Sequence, residues 1–385
     1  MCSNYFRRVG LSGLLVFLAF GIVHSQSSFD LKYENSTVYA GIEVGSKGVK
    51  LSVVEIGKNA QANGTFNALK DSSINTDFIT FSEPTFSATL NGLCHFYNKV
   101  TTDYKIPASE VFTVISSGVK MQAEKESKNN WINNLIDSFK QKINDPKRHV
   151  DVIDVLGEAR LSHLGIVPDE KRYNTFLIDI GSGNAKGGYF PYGNTNDFKL
   201  FQLNWGTKST ANDAEKRCGE EDKTLANYHR QLYRTLMTAE NTEIIYAVNA
   251  SGAYPLSDNV AFSGGIAWSV ATLIKPELMD RSVIQVSFDE VSQFADQLYK
   301  NYASLAPEVL EKQVKEKYPD RSGVAREVKR VHSVFDQRSL MAGTGLMLKI
   351  MRQFASIYES KQFYLVKNGQ VGWISAYVGQ ATAVK

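Results

Sequence analysis

The spacing of apolar residues changes period several times along the chain, and each change marks an element. "VYAGIEV" (38–44) and "GVKLSVVEI" (48–56) predict two strands joined across a glycine turn, the second alternating at Val49, Leu51 and Val53. A polar loop follows, then a further strand at "TDFITFS" (76–82). "EVFTVISSGV" (110–119) predicts a buried strand running out into Ser116-Ser117-Gly118, after which Trp131, Leu135, Phe139 and Ile143 recur at helical spacing. "VDVIDVLG" (150–157) reads as a strand and "EARLSHLGIV" as the helix leaving it. "NTFLIDIG" and "GNAKGGYF" (174–181 and 183–190) then repeat the strand–turn–strand design of the N-terminus. "NVAFSGGIAWSVATLI" (259–274) places a strand before Gly264-Gly265 and a helix after. Further on, Val291, Phe294, Leu298, Tyr302 and Leu305 form one apolar stripe. Residues 310–331 read as a solvated helical hairpin broken at Pro319 and Gly323. Leu346, Ile350 and Phe354 mark a buried helix, and "QFYLVKNGQVGWISAYV" closes the chain as strand, turn and last helix.

The echo of one glycine-turn hairpin in the other is the main organisational signal. It divides the chain into a lead-in (26–37), a first lobe (38–156) and a second lobe with a helical C-terminal part (157–385). The expected class is α/β: two mixed sheets with flanking helices and a cleft between them. A length of 385 residues, 43% of them hydrophobic, suffices for two sizeable cores. Residues 1–25 read as a secretory signal: Arg7 and Arg8, a short apolar run at 11–23, and small residues around a cut after Ser25. The run is shorter than the ~20 apolar residues of a membrane span. The mature chain is therefore expected outside the cytoplasm, secreted or periplasmic, with no stable membrane span.

Loss of Arg7 and Arg8 takes the formal charge from +3 to +1, which leaves no global field to recruit nucleic acid. Cys94 and Cys218 then remain, enough for one disulfide whose formation the sequence leaves open. The histidines are scattered and neither cysteine has zinc-site spacing, so a zinc site has no support.

Glycine turns at strand ends let backbone N–H groups converge into an anion-binding concavity. Three such turns stand out: Gly45-Ser46-Lys47-Gly48 after Glu43, Gly181-Ser182-Gly183-Asn184 after Asp179, and Gly264-Gly265. None matches the P-loop, and the first two lead into strands, which argues against a dinucleotide fold. Two such hairpins facing each other across a cleft would pinch a phosphate chain.

The ordered set resembles the actin, sugar-kinase and heat-shock ATPase superfamily, and within it the exopolyphosphatase/guanosine pentaphosphate phosphatase (Ppx/GppA) family. Glu43-Val44-Gly45-Ser46-Lys47-Gly48 is similar to that family's acid-x-G-S-N-S turn, and Ser116-Ser117-Gly118-Val119-Lys120 to its T-S-A-x-R strand end. Gly157-Glu158-Ala159-Arg160-Leu161 resembles G-E-E-A-R-L, which carries the glutamate taken as general base. Asp179 through Lys186 corresponds to D-I-G-G-G-S-T-E, and "VKNGQVGW" echoes the closing turn without its arginine.

The resemblance implies hydrolysis of a terminal phosphoanhydride of polyphosphate or guanosine polyphosphate. Glu158 would be the base that activates water, and Asp179 and Glu43 would hold water or a metal. Lys47, Lys120 and Lys186 would contact phosphate oxygens together with Ser46, Ser117 and the glycine turns. The family's Mg²⁺ is opposed by two departures. Lys186 stands where the family has a carboxylate and Lys47 where it has asparagine, although Glu43 and Asp179 would still supply two ligands.

Plainer roles stand beside these. Glu158 fits the first turn of a helix, where negative charge favours the dipole. Asp179 fits a strand end accepting turn hydrogen bonds, and Lys47 and Lys186 fit exposed turns. Two other readings keep the fold: an apyrase-type nucleotide phosphohydrolase, whose D-x-G-G-A-S-T-Q string is not matched from Asp179 onward, and a phosphate-binding relative without catalysis. The sequence is also compatible with a homodimer.

Overall fold

A computed structural model describes residues 29–57, 66–320, 322–355, 360–367, 369 and 372–383. The expected signal segment (1–25), the first residues of the lead-in and Val371 of the closing turn lie outside them.

The first sheet is built from β1 (Thr37–Gly45), β2 (Gly48–Ile56), β3 (Phe66–Asn75), β4 (Val111–Ile115) and β5 (Asp151–Val152). Around it lie α1 (Glu83–Asn98), α2 (Ser117–Lys125), α3 (Asn129–Lys142) and α4 (Val155–Ile166). The second sheet holds β6 (Thr175–Ile180), β7 (Ala185–Tyr189), β8 (Lys199–Leu203), β9 (Asn259–Ser263), β10 (Val283–Val286) and β11 (Gln362–Val366). Its helices are α5 (Thr207–Cys218), α6 (Leu225–Ala239), α7 (Ile245–Ser251), α8 (Gly265–Ile274), α9 (Phe288–Lys300), α10 (Pro307–Lys317), α11 (Val324–Val334), α12 (Gln337–Ala355) and α13 (Gly372–Ala383).

The strand orders are β3-β2-β1-β4-β5 and β10-β11-β9-β6-β7-β8. Read from opposite ends, they share one plan. A hairpin (β1–β2, β6–β7) adds an antiparallel third strand on one side and two parallel strands on the other. The sequence echo is thus a duplicated sheet, and the expected two-lobed α/β class holds. β6 carries a near-continuous apolar run because both faces are covered, Phe176, Leu177, Ile178 and Ile180 being buried, whereas β1 buries Ala40, Ile42 and Val44 on one face and lays Gly41 under Ile374 on the other.

Three local expectations are corrected. "TDFITFS" is no strand. Phe78–Thr80 form a single 3₁₀ turn between Asp77 and Phe81, both with positive φ, which drives Phe78 and Phe81 into the first core. The strand lies instead in the preceding polar stretch, as β3. Being an edge strand, it needs no apolar alternation, and it binds β2 through its backbone. "VDVIDVLG" is a strand only at Asp151–Val152. Asp154 then caps α4, its Oδ1 accepting the Gly157 N–H at 2.7 Å, so Val155 to Gly157 are helical. The stripe from Val291 to Leu305 is likewise split, α9 ending at Lys300 before a 3₁₀ turn at Tyr302–Leu305.

Each sheet has its own core. A third cluster joins Val54 and Val114 of the first sheet to Leu161 and Leu164 of α4 and to Trp373, Ile374 and Ala376 of α13. The last helix therefore returns to the first sheet, with Tyr377 edge-on to Phe112 at 5.3 Å. Cys94 and Cys218 are unpaired thiols, Cys94 packed against the first core and Cys218 within the second. No helix among the described residues is long and apolar enough to cross a membrane.

Candidate functional site

Each hairpin sets an acid directly opposite a lysine. The register pairs Glu43 with Lys50 across β1–β2 and Asp179 with Lys186 across β6–β7. In the first hairpin the pair stays loose, with Lys50 Nζ 3.9 Å from Glu43 Oε1. In the second, Lys186 leaves its cross-strand neighbour for Glu158, its Nζ 2.5 Å from Oε1.

Glu158 is held there by the cap described above. Asp154 fixes the start of α4, and Glu158 in its first turn reaches the N-terminus of α2, where the Ser117 N–H donates to Oε2 at 2.9 Å. Lys186 Nζ also donates to Ser117 Oγ at 3.4 Å. One carboxylate thus ties a helix of the first lobe to a hairpin of the second. The side chains of Lys186 and Glu158 are only 13% and 14% exposed, so water screens this pair weakly.

Charge states follow from these neighbours. Burial alone would raise the pKa of Glu158, but the Lys186 ammonium and the two bonds with Ser117 overcome it and hold Glu158 below the usual carboxylate range. Burial would lower the pKa of Lys186, yet Glu158, then Asp179 and Glu43, push it up. Asp179 moves the other way. Burial and the nearby Glu158 raise it against the pull of Lys186, Lys50 and the Ser263 hydroxyl, which donates to Oδ2 at 3.2 Å. Asp179 therefore keeps its proton to higher pH than an ordinary aspartate.

Each of the three turns lies against an element that also holds one of these residues. In the first, the N–H groups of Ser46 and Lys47 take no acceptor among the described residues. Ser46 lies against the start of α2, where a Cβ built on Gly118 would fall 2.8 Å from Ser46 Oγ. In the second, Gly181 N–H closes on Asn184 O, while the N–H groups of Ser182 and Gly183 have no acceptor among the described residues. The carbonyls of this turn dock on the N-terminus of α5: Thr207 N–H donates to Gly181 O at 2.9 Å and Lys208 N–H to Ser182 O at 2.8 Å. Gly206 makes that approach feasible, since a Cβ there would sit 2.6 Å from Asn184 N and 2.7 Å from Gly181 O. In the third, Gly264 has φ +94° and passes close to Asp179, a built Cβ falling 3.1 Å from Oδ1. Gly265 opens α8 beside Phe335.

Two lysines carry positive charge on these turns without a carboxylate partner among the described residues: Lys47 on the first turn and Lys208 on the α5 end that holds the second. Partial burial, then Lys208 and Lys50, lower the pKa of Lys47. Of the sequence candidates, Glu158, Asp179, Glu43, Lys186 and Ser117 converge, and Lys47 is among their electrostatic surroundings through Lys50. Lys120 does not join them by any bond; it pairs along its own helix with Glu124 at 3.9 Å. Sequence reasoning missed Lys50, Ser263, Gly206 and Lys208. The first had a readable signal, because Lys50 follows Glu43 by the same seven residues that separate Lys186 from Asp179.

The Mg²⁺ that the resemblance implies does not fit these residues. No group of three or more His, Cys, Asp or Glu side chains among the described residues is placed to hold a metal. The Lys186 ammonium, moreover, already interacts electrostatically with both carboxylates that would be the metal's ligands, Asp179 and Glu43.

No protein-family model matches the chain, and no curated protein matches it. Solved structures do. A Ppx/GppA protein of Aquifex aeolicus is similar at a TM-score of 0.60 and 14% identity, covering 90% of this chain and 99% of its own. An exopolyphosphatase-like protein gives 0.57 and 14%, covering 91% and 100%. An exopolyphosphatase of Cytophaga hutchinsonii gives 0.52 and 15%, covering 89% and 98%. At these identities the likeness is one of fold: the chain has the two-lobed fold of the Ppx/GppA exopolyphosphatases, as its ordered motifs led one to expect.

Proposed function

We propose that this protein binds the end of a phosphate chain between its first two glycine turns and hydrolyses the terminal phosphoanhydride. The observation that carries the reading is the position of Glu158, between the Ser117 N–H of one lobe and the Lys186 ammonium of the other. Free N–H groups on both turns would cradle phosphate oxygens, and Lys47 and Lys208 would take the following phosphate. Glu158 takes a proton from water while the water oxygen bonds to the terminal phosphorus. The bridging P–O bond breaks with its electrons going to the leaving phosphate, and orthophosphate is released. Such transfer depends on positioning and charge neutralisation, with little covalent work for the protein. A linear polyphosphate or a guanosine polyphosphate is the substrate class. The mature protein, cut after Ser25, acts outside the cytoplasm, which N-terminal sequencing of the exported protein would test.

One observation favours a second reading, binding without turnover. Both Glu158 oxygens are already engaged, which lowers its basicity. The deciding measurement is orthophosphate release by the mature chain from polyphosphate, guanosine polyphosphates and nucleoside triphosphates, with and without Mg²⁺. Release from the first two classes supports the hydrolase. Preference for nucleoside triphosphates moves the reading to an apyrase-type enzyme, and binding of all three with no release makes the protein a binder.

A further inference from the structure

The Lys186 ammonium bonds Glu158, sits across the strand pair from Asp179 and interacts electrostatically with both and with Glu43. Lys50, on the neighbouring hairpin, lies 3.9 Å from Glu43 and acts electrostatically on Asp179. Lys186 is nearly buried, bonds Glu158 at 2.5 Å and touches Ser117 at 3.4 Å, so its charge is fixed in place by both lobes. A fixed, weakly solvated ammonium beside empty N–H groups is a preorganised anion site, and it needs no reorganisation when charge arrives. Resting on the phosphate-chain reading above, we propose that Lys186 is a built-in substitute for a divalent cation. The terminal phosphate takes the ammonium from Glu158, which frees that carboxylate to accept a proton, so ligand binding and base activation are one event without metal. The charge exchange balances: one anion replaces another on the same cation, the hydrogen bond to Glu158 giving way to one with phosphate, and no covalent bond is made or broken in the step.

The probe is sodium tripolyphosphate, titrated by calorimetry into the mature chain in EDTA. Binding in EDTA, with no requirement for Mg²⁺, is the expected result. Removal of Lys186 alone strands the buried Glu158 carboxylate, so the comparison is made within Glu158→Gln, where adding Lys186→Met removes the second member of the pair and strands no Glu158 carboxylate. Glu158→Gln should bind at least as tightly as the wild type, because the phosphate no longer competes for the ammonium. Adding Lys186→Met should weaken binding at least tenfold, and Lys186→Arg in the same background should keep it, with circular dichroism melts checking that all variants are folded. Binding that appears only with Mg²⁺ overturns the proposal. So does equal affinity of the Glu158→Gln protein and its Lys186→Met derivative. Phosphate release assayed in the same buffers keeps the two proposals apart. Release that needs Mg²⁺ sinks the lysine substitute and spares the hydrolase, whereas metal-free binding through Lys186 without release does the reverse.

Discussion

Glu55 and Glu158 are both shielded carboxylates, stabilised in different ways. Glu55 has no exposed surface and accepts from the N–H groups of Lys32 and Tyr33, the Ser36 hydroxyl and the Asn67 amide at 2.7 to 3.0 Å. Burial alone would raise its pKa, but these four donors outweigh it and hold it low. A carboxyl with a depressed folded pKa contributes stability above its unfolded value, near 4.3, and that contribution is lost as pH falls through the folded one. Glu55→Gln should therefore cost about 1–3 kcal/mol at pH 7 and much less in acid, read from urea midpoints at the two pH values. Glu158 sits instead against an ammonium, at the N-terminus of α2. Glu158→Gln should lower phosphate release about 10²–10⁴-fold with the fold intact; release at wild-type rate would remove Glu158 from the chemistry. Its candidacy was legible because "GEARL" is contiguous. Its partner was not, since Lys186 lies 28 residues away and only the fold brings them to bonding distance.

Among the elements, the hairpins were readable and the edges were not. Alternation at Val49, Leu51 and Val53 identified β2 because one chain carries the whole pattern. β3 escaped since an edge strand is specified by backbone pairing with β2, and Phe78, Ile79 and Phe81 suggested a strand where burial of a turn had placed them. The second glycine turn gives an element-scale prediction. Gly206→Ala puts a methyl carbon where Asn184 N and Gly181 O already stand at 2.6 and 2.7 Å, which pushes the turn off the N-terminus of α5. Tripolyphosphate affinity should fall at least tenfold, while the stability of the first lobe's own core is spared. Unchanged affinity would show that this turn does not hold phosphate.

The whole molecule is closed by its last helix. Ile374 of α13 has no exposed surface and packs where a Cβ on Gly41 of β1 would be, so the chain's end is wedged against its first strand. Ile374→Ala should cost about 2–5 kcal/mol by chemical denaturation, because the cavity opens between elements that neither lobe can close alone. His163 gives the molecule a pH limit. It is fully buried in α4, its Nε2 against Thr175 O at 3.0 Å and its ring edge-on to Phe190, and burial with nearby Arg172 lowers its pKa to about 4. The unfolded chain takes up this proton below about 6.5. Stability should thus fall as pH drops from 6.5 towards 4, by of order 3 kcal/mol, and His163→Phe should flatten that part of the profile.

The sequence alone determined what lies within a few residues of itself: the duplicated hairpins, the glycine turns at their ends, the acid before each turn, and Glu158 at the start of a helix. These follow from short-range periodicity and from backbone conformations that only certain residues adopt. Tertiary structure alone decided that Lys186 takes Glu158 rather than Asp179, its cross-strand neighbour, that Ser263 takes Asp179, and that the last helix seals the first sheet. The reason is that a buried charge is satisfied by whichever group the packing of distant elements brings within bonding distance, and sequence separation carries no information about that distance.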